Sequence, residues 1–170
     1  MKNKGITLVA LTITIIILLI IAGISISAGG NMIKKANLEA LKTNMLLIKT
    51  KGKEYVENAN FKLGPKFDTA EDKQTRIDNA KTELKGTIAT SDEVAQIKNK
   101  IGENKVDTDY TFYSELTMSN LEEMGIKGVQ LEDNETYIIR YEIDSMEVEV
   151  YNTLGYNGKY SLTDIDKIEE

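Results

Sequence analysis

The hydrophobic and polar positions of the chain follow three successive patterns. From Gly5 to Ile33 there are 29 residues without a charge. Within that run, Leu8 to Ile26 holds thirteen large aliphatics, among them Leu8, Val9, Leu11 and the unbroken Ile15–Ile21. They fall on every side of a helix, so no face is left for water. A bilayer core needs about 20 mainly apolar residues to be crossed. Insertion of this run is worth roughly 4–8 kcal/mol at 0.3–0.6 kcal/mol per central aliphatic. After Gly29-Gly30, where the helix is expected to break or bend at the membrane exit, the pattern becomes one-sided. Leu38, Leu41, Met45, Ile48, Gly52, Tyr55 and Ala59 recur at alternating spacings of 3 and 4, a single helical stripe. Lys35, Lys42 and Lys49 flank it at intervals of seven, placed to cover it with their stems while the ammonium groups stay wet. Gly64 and Pro65, the only proline, end the pattern. Unbroken, a helix from Ile6 to Asn60 would be about 80 Å long.

The third pattern is a mixed body. Asp68 with Glu71 opens a predicted helix over 69–85 that closes at Gly86, and Thr90 with Glu93 opens a second that closes at Gly102. Ser119 with Glu122 predicts a third, stopped at Gly125. "ETYIIRYEID" and "MEVEVYN" alternate as an antiparallel pair about Asp144-Ser145. Tyr137, Ile139 and Tyr141 then share one face, with Ile138, Arg140 and Glu142 on the other and Val148 and Val150 opposite. A further strand is predicted over 159–162, followed by an acidic tail. Seven of the eight tyrosines lie beyond residue 109, a cluster that reads as packing.

Composition narrows the chemistry. The chain has no Cys and no His, which removes thiol nucleophiles, disulfides, zinc clusters and histidine bases. There is no glycine-rich phosphate loop and no nucleophile elbow. No enzymatic activity, catalytic residue or cofactor is therefore expected. Residues 31–62 carry seven Lys against three Glu, whereas 63–170 carry twelve Lys or Arg against twenty-four Asp or Glu. Such an acidic body argues against direct nucleic-acid binding. The basic strip either meets anionic lipid or a neighbour's acidic body, or simply solvates one helix face. Composition rich in Lys, Asn and Ile suggests an AT-rich bacterial genome.

Three readings of the amino terminus stand at this point. A secretory signal cut near Ala28 fits less well, because its apolar region is usually 7–15 residues long. An uncleaved single-pass anchor bearing a ligand- or partner-binding domain fits the hydropathy. The third comes from the order of features: a lysine-containing "MKNKG", then "ITLVALTITIIILLIIAG", then an amphipathic stem feeding a small body. In this the chain resembles the type IV pilins and type II secretion pseudopilins.

The resemblance implies a leader, residues 1–5, cut between Gly5 and Ile6 by a membrane-bound prepilin peptidase that methylates the new terminus at Ile6. It implies a transmembrane and assembly helix over 6–30, with Leu8, Ala10, Leu11 and Thr12 in the assembly surface, and a stem over 31–63. The stem packs through Leu38, Leu41, Met45, Ile48 and Tyr55 on a soluble body over 64–170. The implied fold is α+β and pilin-like, with short helices and a C-terminal antiparallel sheet. The implied partners are the lipid bilayer, an assembly platform in the membrane, and copies of the chain or related pilins. The implied place is the bacterial cell membrane, with the body outside the cytoplasm, and afterwards an extracellular or envelope filament. The family carries a glutamate five residues into the mature chain, where this chain has Ala10; that departure points toward a minor subunit or pseudopilin. Some pseudopilins hold calcium, and Asp107–Asp109, Glu132–Glu135 and Asp164–Asp166 are rich in carboxylates. None has the spacing of a known calcium loop, so no metal is expected.

Overall fold

A computed structural model describes residues 3–65 and 69–168; within the first helix, the side chains of residues 3–13 and 18–31 lie outside that description. The chain divides into two compact units, 1–40 and 41–170. Helix α1, Asn3–Leu63, begins in the first unit and ends in the second. Gly29-Gly30 does not interrupt it. Each glycine costs only about 1 kcal/mol against alanine in a helix interior, and no proline accompanies the pair to remove a hydrogen bond.

In the first unit the described aliphatics Ile15, Ile16 and Ile17 are each about half exposed, at 49 %, 50 % and 49 %. Met32 and Ile33 are also exposed, whereas Leu38 is buried. In the second unit the predicted stripe is the buried face of the stem: Met45, Ile48, Gly52 and Ala59 are buried. Leu41 and Tyr55 are only half-buried, and Val56 and Leu63 complete the core row. Burying each large aliphatic there is worth about 1.5–3 kcal/mol. The stem ends where expected, with Gly64 in the left-handed region at φ 71° and its N–H donating to the Asn60 carbonyl at 3.2 Å.

The body is built on five antiparallel strands in the order β1-β2-β3-β4-β5. These are β1 Thr87–Ile88, β2 Thr111–Leu116, β3 Tyr137–Glu142, β4 Glu147–Tyr156 and β5 Lys159–Ser161. Ile139 pairs with Val150 and Tyr141 with Val148, which is the register that the alternation predicts. Every residue of β3 is buried. One face of the sheet meets the stem, with Ile139 and Val148 lying against Gly52. The other meets α3, Ser91–Ile101, through a cluster of Ile97, Ile101, Tyr113, Ile138 and Tyr151. Antiparallel strands covered on both faces need apolar residues at adjacent positions, which is why β3 reads "YII" rather than strict alternation.

Four details differ from the sequence reading. Helix α2 is Ala70–Lys81, shorter than the predicted 69–85. Thr69 caps it by accepting from the Asp72 N–H at 3.0 Å, and Asp68 lies outside the described residues. Its end comes early because the Thr82 hydroxyl donates to the Asn79 carbonyl at 2.6 Å, competing with the next helical bond. Gly86 therefore ends no helix. At φ 94° its backbone passes so close to β2 that a Cβ would stand 2.7 Å from the Glu115 carbonyl oxygen. Helix α4, Met118–Glu123, is capped by Thr117 with Asn120 rather than by Ser119 with Glu122. Finally, the acidic tail contains a short helix, α5 Leu162–Ile165, whose Leu162 and Ile165 are buried.

Helix α3 follows the predicted signals closely, ending at Gly102 in the left-handed region. At its start the Glu93 carboxylate accepts from the Thr90 backbone N–H at 2.7 Å and from the Thr90 hydroxyl at 2.8 Å. These two bonds, the backbone one first, hold the Glu93 carboxyl below the usual glutamate range. A depressed carboxyl adds stability that is present above its unfolded pKa and is lost as pH falls through the folded value. Carbon-detected NMR titration should place the Glu93 midpoint below that of an unfolded reference peptide. Thr90→Ala, which deletes only the hydroxyl, should raise it part of the way. Coincidence of Glu93 with the reference would refute the cap.

Candidate functional site

The residues expected to carry processing and assembly, Gly5, Ile6, Leu8, Ala10, Leu11 and Thr12, all lie on α1. Their side chains lie outside the described residues. The Gly5–Ile6 bond falls within the helix, whereas a peptidase substrate is expected to be extended. Among the described residues no helix is long and apolar enough to cross a membrane. The run over 6–30 is largely beyond that description.

The stem lysines take individual partners in the body. The Lys42 ammonium donates to the Ile168 carbonyl at 3.0 Å, and Lys49 lies 3.9 Å from the Glu149 carboxylate. Lys53 donates to the Met146 carbonyl at 2.7 Å, and the Asn60 amide donates to the Ile143 carbonyl at 2.9 Å. The contacts of Lys53 and Asn60 fasten the stem to the β3–β4 connection, Ile143–Met146, which holds Asp144-Ser145 at its centre.

On the opposite face of the sheet is a polar cluster that the sequence reading did not find. Arg140 on β3 is almost fully buried, with its side chain 6 % exposed. Its guanidinium donates to the Val106 carbonyl at 3.3 Å and to Glu142 at 3.4 Å. Its Nε stands 3.6 Å from Asp107, an ion-pair contact too long for a hydrogen bond. Asp107 also accepts from Lys98 at 2.8 Å and from the Tyr113 hydroxyl at 3.1 Å. Glu142 accepts from the Thr108 hydroxyl at 2.8 Å and the Thr111 hydroxyl at 2.5 Å. Burial, and secondarily the Asp107 charge, push the Tyr113 phenol well above the usual tyrosine range. Burial does the same for Tyr141, whose hydroxyl donates to the Lys85 carbonyl at 3.2 Å. Both phenols stay protonated through the physiological range, and the cluster holds Val106, Asp107 and Thr108 to β3 through Arg140 and Glu142.

Of the carboxylates in the three acidic segments, Asp107, Asp109 and Asp164 have other partners. Asp107 serves Arg140 and Lys98, Asp109 pairs with Lys73 at 2.6 Å, and Asp164 accepts from Ser161 at 3.0 Å at the start of α5. Hydrogen bonding from Ser161, first, and the charge of Lys167 hold the Asp164 carboxyl below the ordinary aspartate range. Among the described residues no group of three or more acidic side chains is placed to hold a metal ion.

A groove of about 670 Å³ opens between the stem and β4, lined on the stem by Leu46, Lys49, Thr50 and Lys53. Lys105, Arg140 and the start of β4 form its other wall. Residues this far apart in sequence share no periodic signal; only the two charges within "YIIRYE", Arg140 and Glu142, hinted at the site. Comparison with protein-family models, with curated proteins and with solved structures finds no match.

Proposed function

We propose that the chain is a structural subunit of a type IV-like filament or secretion pseudopilus, processed after Gly5 and assembled through α1. The observation that carries this reading is the exposure of Ile15, Ile16 and Ile17 at about half each. Three consecutive helical residues point roughly 100° apart, so the helix is oily around most of its girth at that level. Such a surface is stable only in lipid or against other apolar helices. The uncharged run on either side extends the same character, and the one-sided stem then hands the helix over to a folded body. A coat of this kind serves one subunit in two settings, first the bilayer and then the flanks of sibling helices. Ala10 places no carboxylate in that coat, which suits a minor or pseudopilin-like position.

A second reading, an uncleaved single-pass protein presenting a binding domain outside the cytoplasm, is favoured by one observation: the Gly5–Ile6 bond lies in helix. A single experiment separates the two. The protein is expressed in cells that contain a prepilin peptidase, and its intact mass and amino-terminal peptide are measured. The filament reading expects loss of residues 1–5, methylated Ile6, and a formal charge two units more negative than −6. Gly5→Val should block that conversion. An intact Met1 in the wild type, with the peptidase active on a control substrate, would decide for the anchor.

A further inference from the structure

The β4–β5 hairpin departs from the acidic character of the rest of the body. Val150 to Thr163 holds no acid over 14 residues, the longest such stretch between 63 and 170, and its one charge is Lys159. The tip is tightly built. Tyr156 pairs with Lys159 across Asn157 and Gly158, both in the left-handed region at φ 49° and 72°, as a two-residue hairpin turn requires. Behind the tip the ladder shifts register between Tyr151 and Tyr156. There the buried Asn152 side chain accepts from the Leu154 and Gly155 N–H groups at 3.0 and 2.9 Å. Such bulges re-aim side chains, and Leu154 is left 47 % exposed. Tyr156 is half-buried, and Asn157, Gly158 and Lys159 are exposed.

The direction of β4 along the stem decides where this tip goes. Just before β4 begins, Lys53 donates to the Met146 carbonyl. Farther along, Asn152 lies opposite Tyr137 in the ladder, and Asn44 hydrogen-bonds the Tyr137 hydroxyl. The strand therefore runs from the level of residue 53 to that of residue 44, toward the amino-terminal end of the stem. The hairpin continues past Asn152 for about 13 Å, at roughly 3.3 Å per residue. Ile33, the last residue of the uncharged run, precedes Asn44 by eleven residues of the same helix, a rise of about 16 Å. A bilayer surface that crosses α1 near Ile33 is thus within reach of the tip. Leu, Tyr and Lys suit such a surface, since each can bury an apolar body while Tyr and Lys keep a polar end wet.

We propose that the β4–β5 hairpin is a membrane-interface contact, seating Leu154 and Tyr156 among the headgroups of a phospholipid bilayer. Lys159 reaches the phosphates from the same tip. The neighbouring α5 and its end carry Asp164 and Asp166, which offset the attraction of one lysine for anionic lipid. The contact is therefore apolar and aromatic in origin, forms on neutral phosphatidylcholine and persists in salt. This inference rests on α1 lying in a bilayer, which both readings above share, and adds a second contact that holds the body down on the surface.

The chain has no Trp, so single-Trp variants of the full chain each report on one position. Three are reconstituted in phosphatidylcholine vesicles brominated either near the headgroups or deep in the acyl chains. They are Tyr156→Trp at the tip, Ser145→Trp at the other end of β4 and Ile16→Trp in the uncharged run, each verified as folded by circular dichroism. Headgroup-level bromine should quench about half the emission of Tyr156→Trp, with no change at high salt. Ser145→Trp carries the same indole and should be almost unquenched by either lipid, while deep bromine should quench Ile16→Trp. Adding Leu154→Asp to Tyr156→Trp should return most of the lost emission, because a carboxylate resists transfer out of water. Tyr156→Trp quenched no more than Ser145→Trp, with Ile16→Trp quenched, would overturn the proposal and leave α1 in the bilayer. Quenching indifferent to Leu154→Asp would also overturn it. An unquenched Ile16→Trp would remove the bilayer reading itself, and this inference with it.

Discussion

Arg140→Met is expected to destabilise the body by about 3–5 kcal/mol, the range for removing one member of a buried ion pair. Methionine fills much of the same volume, so the loss is electrostatic rather than a cavity. Arg140 is 6 % exposed at its side chain and Glu142 10 %. Without the guanidinium, Glu142 keeps the two threonine hydroxyls but loses the one cation it meets among the described residues, and the Val106 carbonyl loses its Arg140 donor. Asp107 suffers less, since Lys98 and Tyr113 still bond to it. The measurement is urea unfolding of the wild type and variant under identical detergent conditions. Against a total stability of about 5–15 kcal/mol for an ordinary domain, the change should move the midpoint substantially.

The second arm identifies the cause. If the cost is a stranded carboxylate, Glu142→Gln in the Arg140→Met background should recover about 1–2 kcal/mol, although Glu142→Gln alone destabilises. Additive losses would show that the pair is not coupled. Loss of the Val106 anchor should also make the bond after Lys105 more sensitive to trypsin under native conditions. A variant as resistant as wild type would mean that residues 103–110 are held by other contacts.

These residues illustrate where the sequence is legible and where it is not. The stem stripe was readable because a helix packed on one side repeats its buried positions every 3–4 residues. Val56 beside Tyr55 shows the limit, since neighbouring apolar residues at the stripe's edge compete for the same inward direction. β3 and β4 were readable in register because their Tyr, Ile and Val positions alternate. β2, "TFYSEL", was not: Tyr113, Ser114 and Leu116 are all buried, and a strand covered on both faces loses its period of two. The α4 cap was misplaced because "TMSNLEE" contains two overlapping box-like signals, and only packing of Leu121 selects Thr117 over Ser119. The Arg140 cluster and the β4 groove draw on α1, residues 103–108 and the β3–β4 hairpin. Such sites form by chain folding across long separations and leave no local spacing to find.

Gly52→Leu is expected to cost more than about 3 kcal/mol, the upper end for forcing volume into a packed core. Even a single added carbon at Gly52 would stand 2.3 Å from Ile139 Cδ1 and 3.1 Å from Val148 Cγ1. Ile139 and Val148 lie at the centre of the sheet face that meets the stem, and Ile139 is fully buried. The stem approaches the sheet this closely only because residue 52 has no side chain. That contact offsets the roughly 1 kcal/mol that glycine costs within a helix. Gly52→Ala sets these effects against each other: the helix gains about 1 kcal/mol while Ile139 must leave its rotamer. A double-mutant cycle makes the geometry testable. Ile139→Val should cost the wild type about 0.5–1.5 kcal/mol. In Gly52→Ala the same change removes the atom that the new methyl strikes, so it should stabilise. A sign reversal of this kind requires a coupling above about 1 kcal/mol, whereas independent sites add to within about 0.5 kcal/mol. Simple additivity in urea unfolding would mean that stem and sheet do not meet at Gly52.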